Sequence, residues 1–142
     1  MAQAADVVRR KIAAFNGKDA TRIQEVLSPD CVQEVPGAHL QGVDQVLAWW
    51  SGLCDAFPDI HSTITRLVEE GSAVAILGRT TATHSGTLRT PAGDIPPTGR
   101  RVELTFADDY EVQRGLVVSS RLHFDRLELL EQLGVTPVPA TA

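Results

Sequence analysis

Residues 102–112, VELTFADDYEV, decide the fold class, because their side chains alternate between apolar and polar along the chain. Successive side chains of a β-strand point to opposite faces, so this alternation predicts a half-buried strand. The face that we expect to be buried carries Val102, Leu104, Phe106, Asp108, Tyr110 and Val112. Asp108 is the one charged side chain in that row, which makes it the first candidate for a functional group.

Two more predicted strands carry polar side chains within apolar rows. Residues 73–85 alternate in the same way, and their inward row is Val74, Ile76, Gly78, Thr80, Ala82 and His84. The last strand, residues 116–125, is expected to point inward with Leu116, Val118, Ser120, Leu122 and Phe124. A further strand is predicted over residues 60–68 and a short one over residues 31–35.

Helical spacing governs the first part of the chain. Apolar side chains recur at helical intervals in residues 4–15 and again in residues 43–57, where Pro58 ends the pattern. A short helix between them is expected to begin at Asp19 or Thr21, both of which suit an N-cap.

The C-terminal part is predicted to close with a short helix. This helix covers residues 126–133 and ends at Gly134, with Pro137 beyond it, and Asp125 suits its N-cap. Residues 90–99 are rich in Pro and Gly and predict a long loop. Three helices followed by long strands joined by hairpins indicate an α+β domain, in which an antiparallel sheet packs against helices on one face.

Composition limits the classes of partner. The chain has 142 residues, and 13 Lys+Arg against 18 Asp+Glu give a formal net charge of -5. An acidic chain without a long basic run is not expected to bind nucleic acid or an anionic membrane, and no apolar stretch approaches a span of about 20 residues. The N-terminus lacks the apolar core of a secretory signal. Cys31 and Cys54 are isolated thiols, which predicts a cytoplasmic protein without a metal site.

Asp108 and His84 stand where a fold normally places apolar side chains. A buried carboxyl loses hydration, which raises its pKa towards neutrality and suits it to general acid or base catalysis. The structural alternative for Asp108 is a wet strand end, or hydrogen bonds from Tyr110 or the backbone. For His84 the alternative is a loop-edge histidine bonded to Ser85 or to the backbone. The residues alone leave these alternatives open.

Seven short segments occur in an order that is typical of one family. They are AAFNGKD (13–19), GVDQVLAWW (42–50), DAFPDIH (55–61), EEGSAV (69–74), THSGTL (83–88), PPTGRRVEL (96–104) and FDRLELLEQLGVTP (124–137). In this order they resemble the SnoaL-like polyketide cyclases, also called ester cyclase-like proteins, of the nuclear transport factor 2-like superfamily. The resemblance implies a single domain over residues 1–142 with a core of about residues 7–137.

The resemblance also implies an architecture and a site. The expected fold is a cone, in which a curved, mostly antiparallel sheet wraps around three N-terminal helices and leaves a pocket between them. Catalysis is expected from Asp108 and His84. The predicted substrate contacts are Phe15, Trp49, Trp50, Phe106, Tyr110, Ser120, Leu122 and Phe124. Simple core packing is the alternative for each of the aromatic residues and is favoured for Trp50 and Phe106, whereas Trp49 is the better candidate for a pocket or interface residue.

Members of this family close the last ring of aromatic polyketides by an intramolecular aldol condensation, which requires no metal or organic cofactor. The resemblance therefore implies a hydrophobic carbonyl compound as substrate and none of those cofactors. It also places the family's acid/base aspartate at Leu122, which carries no proton, and the accompanying histidine at Asp108. The histidine of the THSG segment matches His84. The carboxylate has thus moved to a neighbouring strand in this chain.

Two other functions stay open on the sequence. One is hydrolysis or hydration in the same pocket, although no inward arginine lies between two inward carboxylates. The other is a domain that only binds a small apolar molecule or builds a dimer. A homodimer or a higher homo-oligomer is expected in any case, with Thr105, Arg121 and His123 in or near the interface. His123 and Asp125 share the spacing of metal ligands, but two ligands on an exposed strand are too few for a site.

Overall fold

A computed structural model describes residues 3–135 of the chain. Its helices are α1 (Ala4–Asn16), α2 (Ala20–Glu25), α3 (Val43–Ala56) and α4 (Arg126–Gln132). Of the two predicted caps of α2, Asp19 is the one whose side chain accepts from the helix, at 3.1 Å from the backbone nitrogen of Arg22. Asp125 caps α4 as expected. Pro137, the expected stop beyond α4, lies outside the described residues.

Eight strands form two sheets. They are β1 (Leu27–Val35), β2 (Ala38–Gln41), β3 (His61–Glu70), β4 (Ala73–Thr83), β5 (Leu88–Thr90), β6 (Gly93–Ile95), β7 (Arg101–Gln113) and β8 (Leu116–His123). The large sheet has the order β2-β1-β8-β7-β4-β3, and every neighbouring pair is antiparallel except β1 and β8. The small β5–β6 hairpin overlaps the start of the long loop predicted over residues 90–99, and β2 was not predicted at all.

The strand alternation is confirmed, with one correction. Along β4 and β7 the expected inward rows are the buried ones. In β8, however, Val117 rather than Val118 is buried. The register explains this difference, because Glu111 pairs with Ser119 while Val112 pairs with Val117. Val118 is therefore the extra residue of a β-bulge. On the N-terminal side of the bulge, the side chains that point inward are shifted by one residue, so that Val117 is the buried one.

Two polar clamps fix α1 across the inner face of the sheet. The Asn16 side chain accepts from the backbone N–H of Ser62 and donates to its carbonyl oxygen, both at 2.8 Å. At the other end of the helix, the backbone N–H of Ala5 donates to Glu69 at 2.7 Å. Since Ser62 and Glu69 lie near opposite ends of β3, the middle of α1 is held against the sheet interior. In residues 3–135 no helix is long and apolar enough to cross a membrane.

Candidate active site

A largely apolar cavity lies between the inner face of the sheet and the helices. The space between its walls, together with open solvent at its mouth, amounts to about 1010 Å³. Of the residues predicted to form the site, it is lined by Phe15, Trp49, Trp50, Phe106, Asp108, Leu122 and Phe124. Asp108 and Lys11 are the charged lining residues among those described.

A close backbone approach shapes one wall of this cavity. Gly78 pairs with Phe106 across β4 and β7. A β-carbon on Gly78 would lie 2.5 Å from the Phe106 ring and 2.6 Å from the Thr63 carbonyl oxygen. The absence of a side chain at position 78 therefore gives the Phe106 ring its place in the wall.

Asp108 is the acidic group of the cavity, and only 5% of its surface is exposed. The Tyr110 hydroxyl donates to its Oδ2 at 2.5 Å, whereas its buried Oδ1 has no hydrogen-bond partner within residues 3–135. Burial raises the pKa of Asp108 from 3.8 to about 6, against the opposing effects of Lys11, Tyr110 and His123 and with a smaller upward effect of Asp109. A carboxyl with such a pKa exchanges protons readily near neutral pH.

Tyr110 is hydrogen-bonded to Asp108 but is not one of the residues that line the cavity. Its side chain is 1% exposed, and burial raises its pKa well above 10, reinforced by Asp108. It is therefore a neutral hydroxyl that donates to the carboxylate. The prediction of a direct substrate contact for Tyr110 is not met by this placement.

Lys11 is the charged cavity residue that the sequence interpretation missed. Its ammonium lies 3.2 Å from the Tyr110 hydroxyl and 4.8 Å from the centre of the Tyr110 ring. A signal was present, because Lys11 follows Val7 by four residues and Val8 by three and so lies on the apolar stripe of α1. Lysines on such stripes often extend their charge to solvent, which is why the spacing alone does not identify a buried one.

Ser120 and Gln33 line a smaller crevice next to the cavity, together with Lys11. Gln33 and Lys11 also line the main cavity, whereas Ser120 does not. Ser120, which was predicted to contact the substrate, thus lies in the adjacent crevice and not in the main cavity.

Two buried polar atoms of the cavity wall have no protein partner in the described part of the chain. One is the acceptor Oδ1 of Asp108, and the other is the donor Nε1 of Trp50. By contrast, the Ser62 and Thr80 hydroxyls of the same wall bond to each other at 2.8 Å. Buried polar groups are normally hydrogen-bonded, so these two atoms are suited to a ligand that offers both a donor and an acceptor.

His84 does not lie near Asp108 in the structure. The prediction that both side chains line one cavity is therefore wrong, because only Asp108 lines it. Asp108 pairs with Ile76, whereas His84 follows the opposite end of β4, beyond the pair of Thr83 and Arg101. Eight residues of extended strand separate positions 76 and 84, which is up to roughly 26 Å at about 3.3 Å per residue. The two side chains share a face of the sheet but not a site.

His84 instead anchors the segment before β7. It is fully buried and packs against Phe57, with the ring centres 5.3 Å apart. Its Nδ1 accepts from the backbone N–H of Thr98 at 3.2 Å, and the Thr98 hydroxyl lies 2.9 Å away. Because Nδ1 is an acceptor, the neutral ring carries its proton on Nε2.

We expect this arrangement to make stability depend on pH. Burial lowers the pKa of His84 below its ordinary 6.5, so the unfolded state binds the proton more readily. The stabilisation by His84 is therefore complete above pH 6.5 and is lost as the pH falls below it. In urea unfolding, the free-energy difference between wild type and His84→Gln should shrink from pH 7.5 to pH 5. A constant difference would contradict the anchoring role.

Comparison with known proteins gives the family. Residues 5–133 match the family model described as SnoaL-like polyketide cyclase. The chain belongs to this family. The SnoaL-like chain is 31% identical to IdmH, a candidate polyketide cyclase from Streptomyces antibioticus, with a TM-score of 0.79 over 94% of this chain and 100% of that one. None of the curated proteins matches it.

Two further structures support the SnoaL-like fold. AclR, a candidate hydroxylase from Streptomyces galilaeus, is 28% identical, with a TM-score of 0.79 over 96% of this chain and 85% of that one. A candidate SnoaL-like polyketide cyclase from Jannaschia sp. CCS1 is 20% identical, with a TM-score of 0.84 over 95% and 94%. The α+β fold with a curved mixed sheet is confirmed.

The register also relates Asp108 to the position where the family resemblance placed a catalytic aspartate. Leu122 of β8 is the direct Cα partner of Asp108 of β7, and both residues line the cavity. Neighbouring strands are about 4.8 Å apart, so a carboxylate moved across one strand still faces the same cavity. Among residues 3–135 no group of acidic, histidine and cysteine side chains is arranged to hold a metal ion.

Proposed function

We propose that this SnoaL-like chain is a cofactor-independent cyclase or isomerase that acts on a hydrophobic, polyketide-like carbonyl compound. The supporting observation is a carboxyl group in an apolar cavity. One of its oxygens accepts from Tyr110, the other has no partner among residues 3–135, and its pKa is about 6. The free acceptor would bind a substrate that reaches it, and the raised pKa makes the carboxylate basic enough to remove a proton.

In the proposed reaction Asp108 acts first as a base and then as an acid. Oδ1 takes a proton from a carbon beside carbonyl groups, and the C–H electrons move onto the carbonyl oxygen as an enolate. The enolate carbon then attacks a second carbonyl carbon of the same molecule and forms the new C–C bond. The electrons of that carbonyl move to its oxygen, which receives the proton back from Asp108. No atom or electron is gained or lost.

The cavity wall supplies the rest of the catalysis. Phe15, Phe106 and Phe124 present flat apolar surfaces that would fold a planar substrate and exclude water from the reacting carbons. The N–H of Trp50, which has no partner within the described part of the chain, would donate to one of the substrate carbonyl oxygens. A donor at the oxygen and a base at the carbon together favour enolate formation.

The other functions make different demands on the cavity. A hydrolase that orients water with a carboxylate–arginine–carboxylate set needs an arginine, and none of the described residues that line the cavity is one. A binding domain needs only the apolar wall. It would bind its ligand without converting it, whereas an enzyme would turn it over. The homodimer and the cytoplasmic location stay predictions.

Proton exchange tests the proposal without the native substrate. 2-Tetralone is a bicyclic ketone whose protons beside the carbonyl exchange with deuterium, which proton NMR follows in D₂O. We expect the protein to accelerate this exchange, with a rate that rises through an inflection near pH 6 as Asp108 ionises. Heat-unfolded protein is the control.

The possible results separate enzyme from binding domain. Binding of 2-tetralone, seen as line broadening, without accelerated exchange would support a binding domain and contradict the proposal. An acceleration that has no inflection between pH 5 and pH 7 would show that another group carries the proton.

A further inference from the structure

Lys11 is a buried cation that makes no direct ion pair with the described side chains, and its link to the carboxyl of Asp108 runs through the Tyr110 hydroxyl. Only 9% of its surface is exposed, and none of the ion pairs within 4 Å in residues 3–135 includes it. Its hydrogen bond goes to Tyr110, which is a neutral hydroxyl. A buried ammonium that is not paired is costly, so a negative oxygen brought by a ligand would be favoured there.

The hydrogen bond from Lys11 fixes the direction of the next one. An ammonium group only donates, so the Tyr110 oxygen accepts from Lys11 and must direct its own proton to Oδ2 of Asp108. Oδ2 is thereby occupied, which leaves Oδ1 as the atom that takes a proton from the substrate. Two of the three ammonium hydrogens of Lys11 have no acceptor in the described part of the protein.

The sheet places Lys11 beside a buried polar row at the edge of the cavity, and of this row only Gln33 is among the lining residues. Gln33 of β1 pairs with Ser120 of β8, and Ser120 pairs with Tyr110 of β7. All three side chains are buried on the inner face, and Lys11 reaches the row from α1. Polar groups are thus concentrated at one end of an otherwise apolar cavity, next to Asp108.

We propose that Lys11 binds the ionised oxygen of the ligand, and that the cavity takes planar apolar compounds that carry an enolate or phenolate oxygen. This proposal rests on the proposed function, since the oxygen becomes negative when Asp108 takes the carbon-bound proton. Before that transfer the charges of Lys11 and Asp108 offset each other. Afterwards Asp108 is neutral, and Lys11 offsets the charge on the substrate oxygen.

A matched pair of ligands tests the role of the charge. The probes are 1,2-dihydroxyanthraquinone, at a pH where its spectrum shows the ionised form, and unsubstituted anthraquinone, which has the same rings and no charge. Trp49 and Trp50 line the cavity, so quenching of their fluorescence reports binding of either compound. We expect Lys11→Met to weaken binding of the ionised probe about tenfold or more and to leave anthraquinone binding within about twofold.

A matched variant controls for the loss of a positive charge on the same helix. Arg10 lies on the exposed side of α1, and Arg10→Met should bind both probes as the wild type does. Lys11→Arg, which keeps the charge, should retain part of the preference for the ionised probe. Equal losses for both probes in Lys11→Met would show that Lys11 only shapes the cavity and would overturn the proposal, as would no loss at all.

Lysine NMR gives a second test that needs no variant. The chain has two lysines, Lys11 and Lys18, so ¹³C-lysine labelling gives two ε-carbon signals. The ionised probe should shift the Lys11 signal and leave that of Lys18, which bonds to backbone carbonyls, in place. An unmoved Lys11 signal on saturation would overturn the proposal.

Failure of the proposed function is distinguishable from failure of this inference. If wild type does not accelerate exchange in 2-tetralone but still prefers the ionised probe in a manner that depends on Lys11, the acid/base role of Asp108 fails and the oxygen site stands. If exchange is accelerated and Lys11→Met binds the ionised probe normally, the oxygen site fails alone.

Discussion

Asp108→Asn should lower the rate of proton exchange in 2-tetralone by about 10²- to 10⁴-fold, the usual contribution of a general base. Asparagine keeps the shape of the carboxyl and an oxygen acceptor for Tyr110, but it takes up no proton near neutral pH. The probe should still bind, because the apolar wall is unchanged. NMR exchange rates at pH 7.5 measure the effect, and a rate within threefold of wild type would contradict the assignment.

The same substitution, which should lower the exchange rate, should raise the free energy of unfolding. Burial raises the pKa of Asp108 from 3.8 to about 6 in the folded state, so the folded state binds the proton more tightly than the unfolded state. The wild type therefore loses stability as the pH rises from about 4 to above 6. At about 1.4 kcal/mol per pKa unit, the wild type loses on the order of 3 kcal/mol of its free energy of unfolding. An uncharged asparagine at position 108 does not titrate, so the variant keeps that stability. Asp108→Asn should gain stability relative to wild type between pH 4 and pH 7.5.

Asp109→Asn is the matched control for both measurements. Asp109 is the adjacent residue of β7 and points to the exposed face of the sheet. Its replacement should leave the exchange rate and the pH dependence of unfolding close to those of wild type. If both variants show the same pH dependence as wild type, the carboxyl of Asp108 is not destabilised by burial, and its role as a base loses its physical support.

Gly86→Ala should be the most destabilising of the substitutions considered, by roughly 3 kcal/mol or more. A β-carbon on Gly86 would lie 1.9 Å from the carbonyl oxygen of Asp55 and 2.9 Å from its carbonyl carbon. The backbone N–H groups of Ser85 and Gly86 both donate to the carbonyl oxygen of Ala56, at 3.2 and 3.1 Å. These bonds hold the C-terminal end of α3 against the segment after β4, so the clash would separate a wall of the cavity from the sheet.

Gly52→Ala is the control that isolates this close approach. Gly52 lies inside α3, and nothing would lie within 4 Å of its added β-carbon. Alanine there should stabilise the protein by about 0.5–1 kcal/mol, because it restricts the unfolded chain and favours the helix. Thermal unfolding should give a lower midpoint for Gly86→Ala and a slightly higher one for Gly52→Ala. Equal midpoints for the two variants would contradict the packing at Gly86.

The sequence predicted the inward position of Asp108, because strand alternation is a local property of consecutive residues. The inward aromatic residues Phe106 and Phe124 followed from the same rule, and both line the cavity. Alternation, however, predicts only which face of the sheet a side chain points to. It does not predict how far apart two side chains lie on that face. His84 was therefore placed with Asp108, although the pairing of β4 with β7 separates them by most of the length of a strand.

Two other errors have a different physical origin. Val118 was expected inward because alternation assumes an unbroken ladder, and the β-bulge between β7 and β8 breaks it. Lys11 was missed because a lysine on an apolar stripe normally reaches solvent. Whether its charge stays inside depends on the sheet that covers it, here through Tyr110, which is 99 residues away in sequence.

The sequence by itself thus determined the order of the helices and the long strands, the buried face of those strands and the presence of one carboxyl on that face. These properties depend on residues that are close in the chain. Only the tertiary structure decided which polar groups meet that carboxyl, because its partners come from a helix and from strand register, and packing sets the desolvation that raises its pKa. A strand pattern specifies which side chains turn inward, whereas the environment they meet there is made by the rest of the chain.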